Sequence, residues 1–132
     1  MREIMEMKYI IGFMFVLGFI FSCSAGDKDL PSIDVNQLQA KMQADSNLVI
    51  LDVRTEGEFN GPQGRIDGAI LIPVGELESR IAELQPYKDK EIVVYCRSGN
   101  RSRTGTKILL DHGYNAVNVL GGILAWNKLH GK

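Results

Sequence analysis

One cysteine of the chain lies in a short segment that concentrates positive charge. Residues 95–102 read YCRSGNRS and join an apolar run to an amphipathic one. Between Ile92 and Leu110 there are four cationic side chains and no acidic one. Unpaired backbone N–H groups at a helix start and nearby cations both favour a thiolate over a thiol. Cys96 is therefore predicted to be a thiolate nucleophile at neutral pH.

The residues that follow Cys96 are predicted to bind a small anion. Gly99 permits a tight turn in which successive backbone N–H groups face one negatively charged ligand. The predicted binding loop consists of Arg97, Ser98, Gly99, Asn100, Arg101 and Ser102. In the alternative interpretation, Cys96 is an inert core residue that continues the preceding strand, and the arginines are solvated surface charges. The clustering of cations around one thiol favours the catalytic interpretation.

Strands and helices must position this loop, and the sequence alternates between the two. Apolar runs predict strands over 48–51, 69–72, 92–95 and 116–120. Helices are predicted after Asp34, after Thr55, and over 75–84, 102–111 and 123–129. This alternation is typical of an α/β domain with a mostly parallel sheet covered by helices on both faces. Such sheets bind ligands at the carboxyl ends of their strands, which is where Cys96 falls.

Asp52 and Arg54 follow an earlier predicted strand and are candidates for the same edge of the sheet. A carboxylate beside a thiolate would raise the pKa of that thiol, so direct catalysis by Asp52 is disfavoured. We predict that Asp52 and Arg54 form ion pairs that support the site without touching substrate. A similar pairing with Arg54 or Arg65 is predicted for Glu58.

Length and composition exclude several classes of protein. The 132 residues allow one domain of ordinary size. Hydrophobic residues make up 45% of the chain and charged residues 23%, which fits neither a disordered chain nor a protein with several membrane spans. The net charge of -1 gives no overall attraction to nucleic acid, so no nucleic-acid partner is expected. Because the cysteines and histidines lack metal-ligand spacing, we expect no metal, and the predicted chemistry needs no cofactor.

Residues 1–22 are predicted to be a signal peptide. The apolar run from Tyr9 to Phe21 is shorter than the roughly 20 residues of a membrane-spanning helix. The residues before Cys23 resemble the acylation site of bacterial lipoproteins, so Cys23 is the predicted lipidation site. Ordinary cleavage near Ser24 or Ala25 and an uncleaved anchor are the alternatives. In each case residues 23–31 are a tether, and residues 32–132 form an exported, periplasmic domain that contacts the membrane only through its N-terminus.

Four motifs resemble the rhodanese, or sulfurtransferase, family across roughly residues 32–130. They are VILDVRTEGEF over 49–59, GRIDGAILIP over 64–73, VVYCRSGNRS over 93–102 and GYNAVNVLGGILAWNK over 113–128. The second motif departs from the family pattern at Arg65, where the family has His, and at Leu71, where it has Asn. The resemblance implies a rhodanese-like fold of three layers, with a central, mostly parallel sheet and helices on both faces.

The resemblance also implies a reaction through a persulfide on Cys96. The thiolate would take the outer sulfur of a donor such as thiosulfate and pass it to an acceptor such as cyanide or a thiol. Arg97 is expected to bind a dianionic donor, and Arg101 is expected to give electrostatic support to the loop and the persulfide.

Two other functions compete with this prediction. One is an exported persulfide carrier that turns over little free thiosulfate. The other is a phosphatase or arsenate reductase of the same fold, which needs five residues between its Cys and Arg. Here four residues separate Cys96 from Arg101, and Ser102 occupies the later position, so sulfur chemistry is favoured.

Overall fold

The computed structural model describes residues 30–132. The predicted signal peptide, the predicted lipidation site at Cys23 and all but the last two residues of the predicted tether lie outside the described residues. Over 30–132, no helix combines the length and apolar character needed to cross a membrane.

A five-stranded sheet forms the centre of the domain, and all its strands are parallel. In chain order the strands are β1 (Ser32–Ile33), β2 (Val49–Asp52), β3 (Ile70–Leu71), β4 (Glu91–Tyr95) and β5 (Asn115–Val119). They lie side by side in the order β1-β5-β4-β2-β3. Asp52 at the end of β2 pairs with Tyr95 at the end of β4, so the carboxyl ends of these strands meet at one edge.

The described residues form four α-helices, and three of them contribute to the buried clusters on the two faces of the sheet. They are α1 (Val35–Ala44), α2 (Glu56–Phe59), α3 (Asn100–Asp111) and α4 (Gly122–Leu129). On one face, Leu38 of α1 and Ile123 of α4 join the same buried cluster. On the other face, Leu109 of α3 packs with Val94 of β4. The predicted three-layer α/β fold is therefore confirmed, and β2 and β4 are buried apolar runs because both of their faces are covered.

The segment between β3 and β4 differs from the prediction. Sequence periodicity predicts one helix over 75–84, but the structure has two 3-10 helices, Val74–Glu76 and Ile81–Tyr87. Gly75 weakens an α-helix, and Pro86 lacks the N–H group that an α-helix would use. Tighter turns therefore replace the predicted helix.

Sequence analysis also misses β1, because two residues carry no periodic pattern. The remaining strands and helices begin and end within one or two residues of their predicted limits.

Candidate active site

Cys96 comes directly after β4, four residues before α3 begins. The residue is 1% exposed and belongs to the buried cluster that contains Val94 and Leu109. Its sulfur nevertheless contacts polar groups. The Gly99 N–H donates a hydrogen bond to Cys96 Sγ at 3.1 Å, and Sγ forms a second hydrogen bond with Ser102 Oγ at 3.4 Å. The sulfur thus lies at the N-terminus of α3, between the sheet edge and the first helical turn.

Hydrogen bonds lower the pKa of the Cys96 thiol. Burial is the largest single influence and would raise this pKa. The hydroxyl of Ser102 and the backbone N–H groups of Ser102, Gly99 and Ser98 act in the opposite direction and together outweigh burial. Backbone N–H groups at the helix start and nearby cations are both predicted from the sequence to favour the thiolate. In the structure, the leading contributions that favour it are hydrogen bonds within residues 98–102, which come from backbone N–H groups and from the Ser102 hydroxyl.

Ser102→Ala is expected to raise the pKa of Cys96, because it removes the hydroxyl that bonds to the sulfur. A hydrogen bond to a charged group is worth about 1.5–3 kcal/mol, so alkylation of Cys96 by iodoacetamide at neutral pH should slow by roughly tenfold or more. The pH dependence of the alkylation rate measures this change. Thr104→Ala, on the exposed side of the same helix, is the matched control. An unchanged pH profile in the Ser102 variant would show that the hydroxyl does not tune the thiol.

The two arginines of the loop occupy different environments. Arg97 is exposed. Both terminal nitrogens of Arg101 bind the carboxylate of Glu58, at 2.7 and 2.8 Å. This hydrogen bonding is the main cause that raises the pKa of Arg101, and the charge of Cys96 adds a smaller contribution. Glu58 therefore occupies donor groups on both terminal nitrogens of Arg101.

This pairing corrects the prediction for Glu58, which assigned it to Arg54 or Arg65. The guanidinium of Arg65 instead lies 4.2 Å from the ring centroid of Phe59. Glu58 is held in place by Thr55, whose hydroxyl and backbone N–H both donate to its carboxylate. The side chain that restrains Arg101 is thus fixed by the N-cap of α2.

Glu58→Gln is expected to cost stability in a pH-dependent way. The hydrogen bond from Arg101 is the main cause that lowers the pKa of Glu58 to about 2. A carboxyl whose pKa falls on folding stabilises the protein above its unfolded pKa of about 4.3, and this contribution is lost as pH falls toward the folded value. The stability difference from wild type should be about 1 kcal/mol or less near pH 7. It should shrink as pH falls from about 4.5 toward about 2.

Urea unfolding at about pH 7, 5 and 3 measures this difference. Glu56→Gln on the same helix is the control, because Glu56 is exposed. A stability difference between wild type and Glu58→Gln that stays constant with pH would contradict the prediction.

Asp52 and Arg54 form a fully buried ion pair with each other. Arg54 Nη2 and Nε donate to the Asp52 carboxylate at 2.7 and 3.0 Å. Arg54 also donates to the Gly64 carbonyl at 2.8 Å, and its guanidinium lies 5.5 Å from the ring centroid of Tyr95. The Tyr95 hydroxyl accepts a hydrogen bond from the Ile66 N–H at 3.1 Å. The pair therefore ties β2 to residues 64–66 and to the last residue of β4.

The N-terminus of α4 packs directly on the cysteine loop. The Ile123 N–H donates to the Cys96 carbonyl at 2.9 Å, and the Leu124 N–H donates to the Arg97 carbonyl at 3.2 Å. Gly122 has a φ of +56°, and a Cβ built on it would lie 2.5 Å from the Arg97 carbonyl oxygen. Gly122 belongs to the motif over 113–128, and its sequence signal is the pair of glycines immediately before an apolar helix.

The other predicted loop residues also lie around the thiol. Gly99 has a φ of +119° and precedes α3, while Ser98 and Asn100 are exposed. Within residues 30–132, no group of three or more His, Cys, Asp or Glu side chains could hold a metal ion. The structure thus brings the sequence-predicted loop together around one sulfur, and it adds Glu58 and Gly122 to the residues that shape it.

Cys96 lies at the carboxyl edge of a parallel α/β sheet, which is where such sheets bind ligands, and cysteine is one of the side chains that serve as nucleophiles. The rhodanese-like domain model matches residues 34–129, and the chain belongs to this family.

A putative sulfurtransferase of Bacillus subtilis, YtwF, is 38% identical over 98 residues, which are 74% of this chain and 91% of the relative. The thiosulfate sulfurtransferase PspE of Escherichia coli is 36% identical over 83 residues, which are 61% of this chain and 78% of the relative. The crystal structure of a rhodanese-like domain protein from Staphylococcus aureus is 32% identical, with a TM-score of 0.67, and covers 74% of this chain and 91% of that one. These similarities support membership of a family of sulfurtransferases.

Proposed function

We propose that the protein transfers a sulfane sulfur from thiosulfate, or a similar donor, to a thiol or to cyanide through a persulfide on Cys96. The thiolate attacks the outer sulfur of thiosulfate, an S–S bond forms to Cys96 Sγ, and the S–S bond of the donor breaks. Sulfite leaves with the electron pair of that bond. The acceptor then attacks the terminal sulfur of the persulfide and releases the Cys96 thiolate. Two easier steps replace one difficult transfer.

The observation that carries this proposal is the hydrogen bonding of Cys96 Sγ by the Gly99 N–H and the Ser102 hydroxyl. These groups favour the thiolate before the reaction. The Gly99 N–H is suited to hold the negative charge of a persulfide, because the loop and the start of α3 fix its position. The exposed side chain of Arg97, next to the nucleophile, can attract a dianionic donor. The name of PspE, a thiosulfate sulfurtransferase, agrees with this choice of donor.

Intact mass spectrometry of the full chain after thiosulfate treatment tests the proposal. We expect the mass to rise by one sulfur atom, and we expect added cyanide to remove that sulfur as thiocyanate. Cys96→Ser is the control and should gain nothing. If the wild type gains no sulfur, or if the serine variant gains the same mass, the proposal is wrong.

Kinetics distinguish the competing functions. Rapid loading in a single turnover with poor steady-state transfer from thiosulfate to cyanide would indicate a persulfide carrier instead of an enzyme that uses free thiosulfate. Hydrolysis of para-nitrophenyl phosphate that depends on Cys96 would indicate a phosphatase.

A further inference from the structure

The protein surface around the loop that holds Cys96 has two chemically different sides. We define the rim as surface residues of the cysteine loop, of the outer face of α3 and of the start of α4: Arg97, Asn100, Arg103, Lys107, Leu120 and Leu124. Arg103 is half-buried, and the others are exposed. Cys96 is only 1% exposed, so a large acceptor would contact the surface around the loop before it reaches the sulfur. The chemistry of the rim therefore bears on which acceptors react.

The first side of the rim is apolar. Leu120 is 49% exposed and Leu124 is 40% exposed. The Leu124 N–H bonds to the Arg97 carbonyl, and a Cβ on Gly99 would lie 3.6 Å from the N of Gly121, the residue after Leu120. Single exposed leucines are common on protein surfaces. Here two of them lie close to the cysteine loop, one just before α4 and one in its first turn, and both present apolar surface to solvent.

The second side of the rim is basic. A groove of about 390 Å³ runs beside α3 and is lined by Leu30, Asn100, Arg103, Thr104 and Lys107. The helical residues among them follow the spacing of one helix face. From Ile92 to Leu110 the chain has four cations and no acid, whereas acidic residues outnumber basic ones in the rest of the described chain. Glu58 offsets the charge of Arg101 in space, but along the chain this stretch is still the one richest in cations.

We propose that the rim is a docking surface for a protein acceptor whose cysteine is flanked by acidic and apolar residues. This inference rests on the proposed sulfur transfer and specifies the acceptor. Acidic residues of the partner would face the basic groove on α3, and its apolar residues would contact Leu120 and Leu124. Opposite charges steer such an encounter and fix its orientation. A protein with a basic surface around its thiol would be repelled.

Binding of synthetic peptides to the full chain tests the docking surface without requiring any sulfur transfer. The first probe is a fluorescein-labelled peptide with aspartate, glutamate and leucine around a central serine, which stands in for the acceptor cysteine. The second probe has lysine in place of each acid. By fluorescence anisotropy, we expect the acidic peptide to bind at least about tenfold more tightly at low salt. This preference should shrink in about 0.5 M salt, because exposed charges are screened.

Variants locate the binding. The double variant Arg103→Glu and Lys107→Glu should reverse the preference between the two peptides. Leu124→Ser should weaken the binding of both peptides. Lys128→Glu, an exposed charge reversal near the end of α4, is the matched control and should leave the preference unchanged. Circular dichroism checks that each variant is folded, and Leu124→Ser gives an independent test if the double variant is not.

The same peptides with cysteine at the central position then serve as acceptors for the loaded protein. We expect the acidic peptide to remove sulfur faster than the basic one when rates are compared at equal thiolate concentration. Equal binding of both peptides, or binding that the double variant does not alter, would overturn the docking surface. Failure of thiosulfate to load Cys96 would instead count against the proposed function, since the binding assay does not depend on loading.

Discussion

Asp52→Ala is expected to lower the free energy of unfolding by about 3–5 kcal/mol, since it leaves the Arg54 guanidinium buried without its carboxylate. Both side chains are fully buried. The Asp52 carboxylate accepts from Nε and Nη2 of Arg54, and it also accepts from the Arg54 backbone N–H at 3.0 Å. A buried charge that loses its partner keeps the full cost of its desolvation. Because Arg54 also holds the Gly64 carbonyl, the loss should loosen the loop that precedes β3.

Urea unfolding at neutral pH measures this effect. Glu91→Ala is the matched control, because it breaks an ion pair that solvent reaches. In this pair the side chain of Lys41 is 39% exposed and that of Glu91 is 33% exposed. A pair that solvent reaches contributes only about 0–1 kcal/mol, so the control should lose far less stability. If Asp52→Ala is too unstable to isolate, Asp52→Asn keeps the shape of the side chain and removes its charge. Similar losses for the Asp52 and Glu91 variants would show that burial does not distinguish the two pairs.

Gly122→Ala is expected to disrupt the cysteine loop and to slow persulfide formation by about 100-fold. The added Cβ would lie 2.5 Å from the Arg97 carbonyl oxygen and closer still to the Cys96 carbonyl. Those atoms are backbone and cannot move aside as a flexible side chain would. Either α4 or the loop must shift, and the hydrogen bonds from Ile123 and Leu124 to the loop would lengthen.

Gly131→Ala separates the steric effect from the backbone effect. Gly131 also has a positive φ, +72°, but a Cβ there would meet nothing within 4 Å. Both variants should lose about 1–2 kcal/mol from the left-handed conformation, and Gly122→Ala should lose about 1–3 kcal/mol more from crowding. Thiosulfate loading measured by intact mass should stay near the wild-type rate in Gly131→Ala. Equal loading rates in both variants would contradict the role of the close approach at Gly122.

The sequence predicts most of the architecture because the sheet is buried on both faces. Continuous apolar runs such as 92–95 predict such strands, and N-cap residues such as Asp34 predict where helices begin. The pattern fails between β3 and β4. Leucine and isoleucine there have helical spacing, yet Gly75 and Pro86 favour tighter turns. Apolar spacing alone does not distinguish an α-helix from successive 3-10 turns.

The sequence predicts the position of the candidate site but not which charged side chains pair within it. Cys96 and residues 97–102 could be placed at one edge, because the carboxyl ends of parallel strands meet there. The partner of Arg101 could not be predicted, since Glu58 lies 43 residues earlier in the chain and two other arginines stood nearer to it in sequence. The contribution of backbone N–H groups to the lowered thiol pKa could be predicted from the helix start, but that of the Ser102 hydroxyl could not, because residue types do not show which side chain contacts Sγ.

The contact between α4 and the cysteine loop links chemical reactivity to the order of synthesis. The carbonyl of Cys96 accepts a hydrogen bond from the N–H of Ile123, so this support forms only after α4 has been synthesised and has docked. A ribosome-bound chain that has reached α3 already contains the thiol but lacks this support. The surroundings of Cys96 therefore depend on a helix that is synthesised well after the cysteine itself.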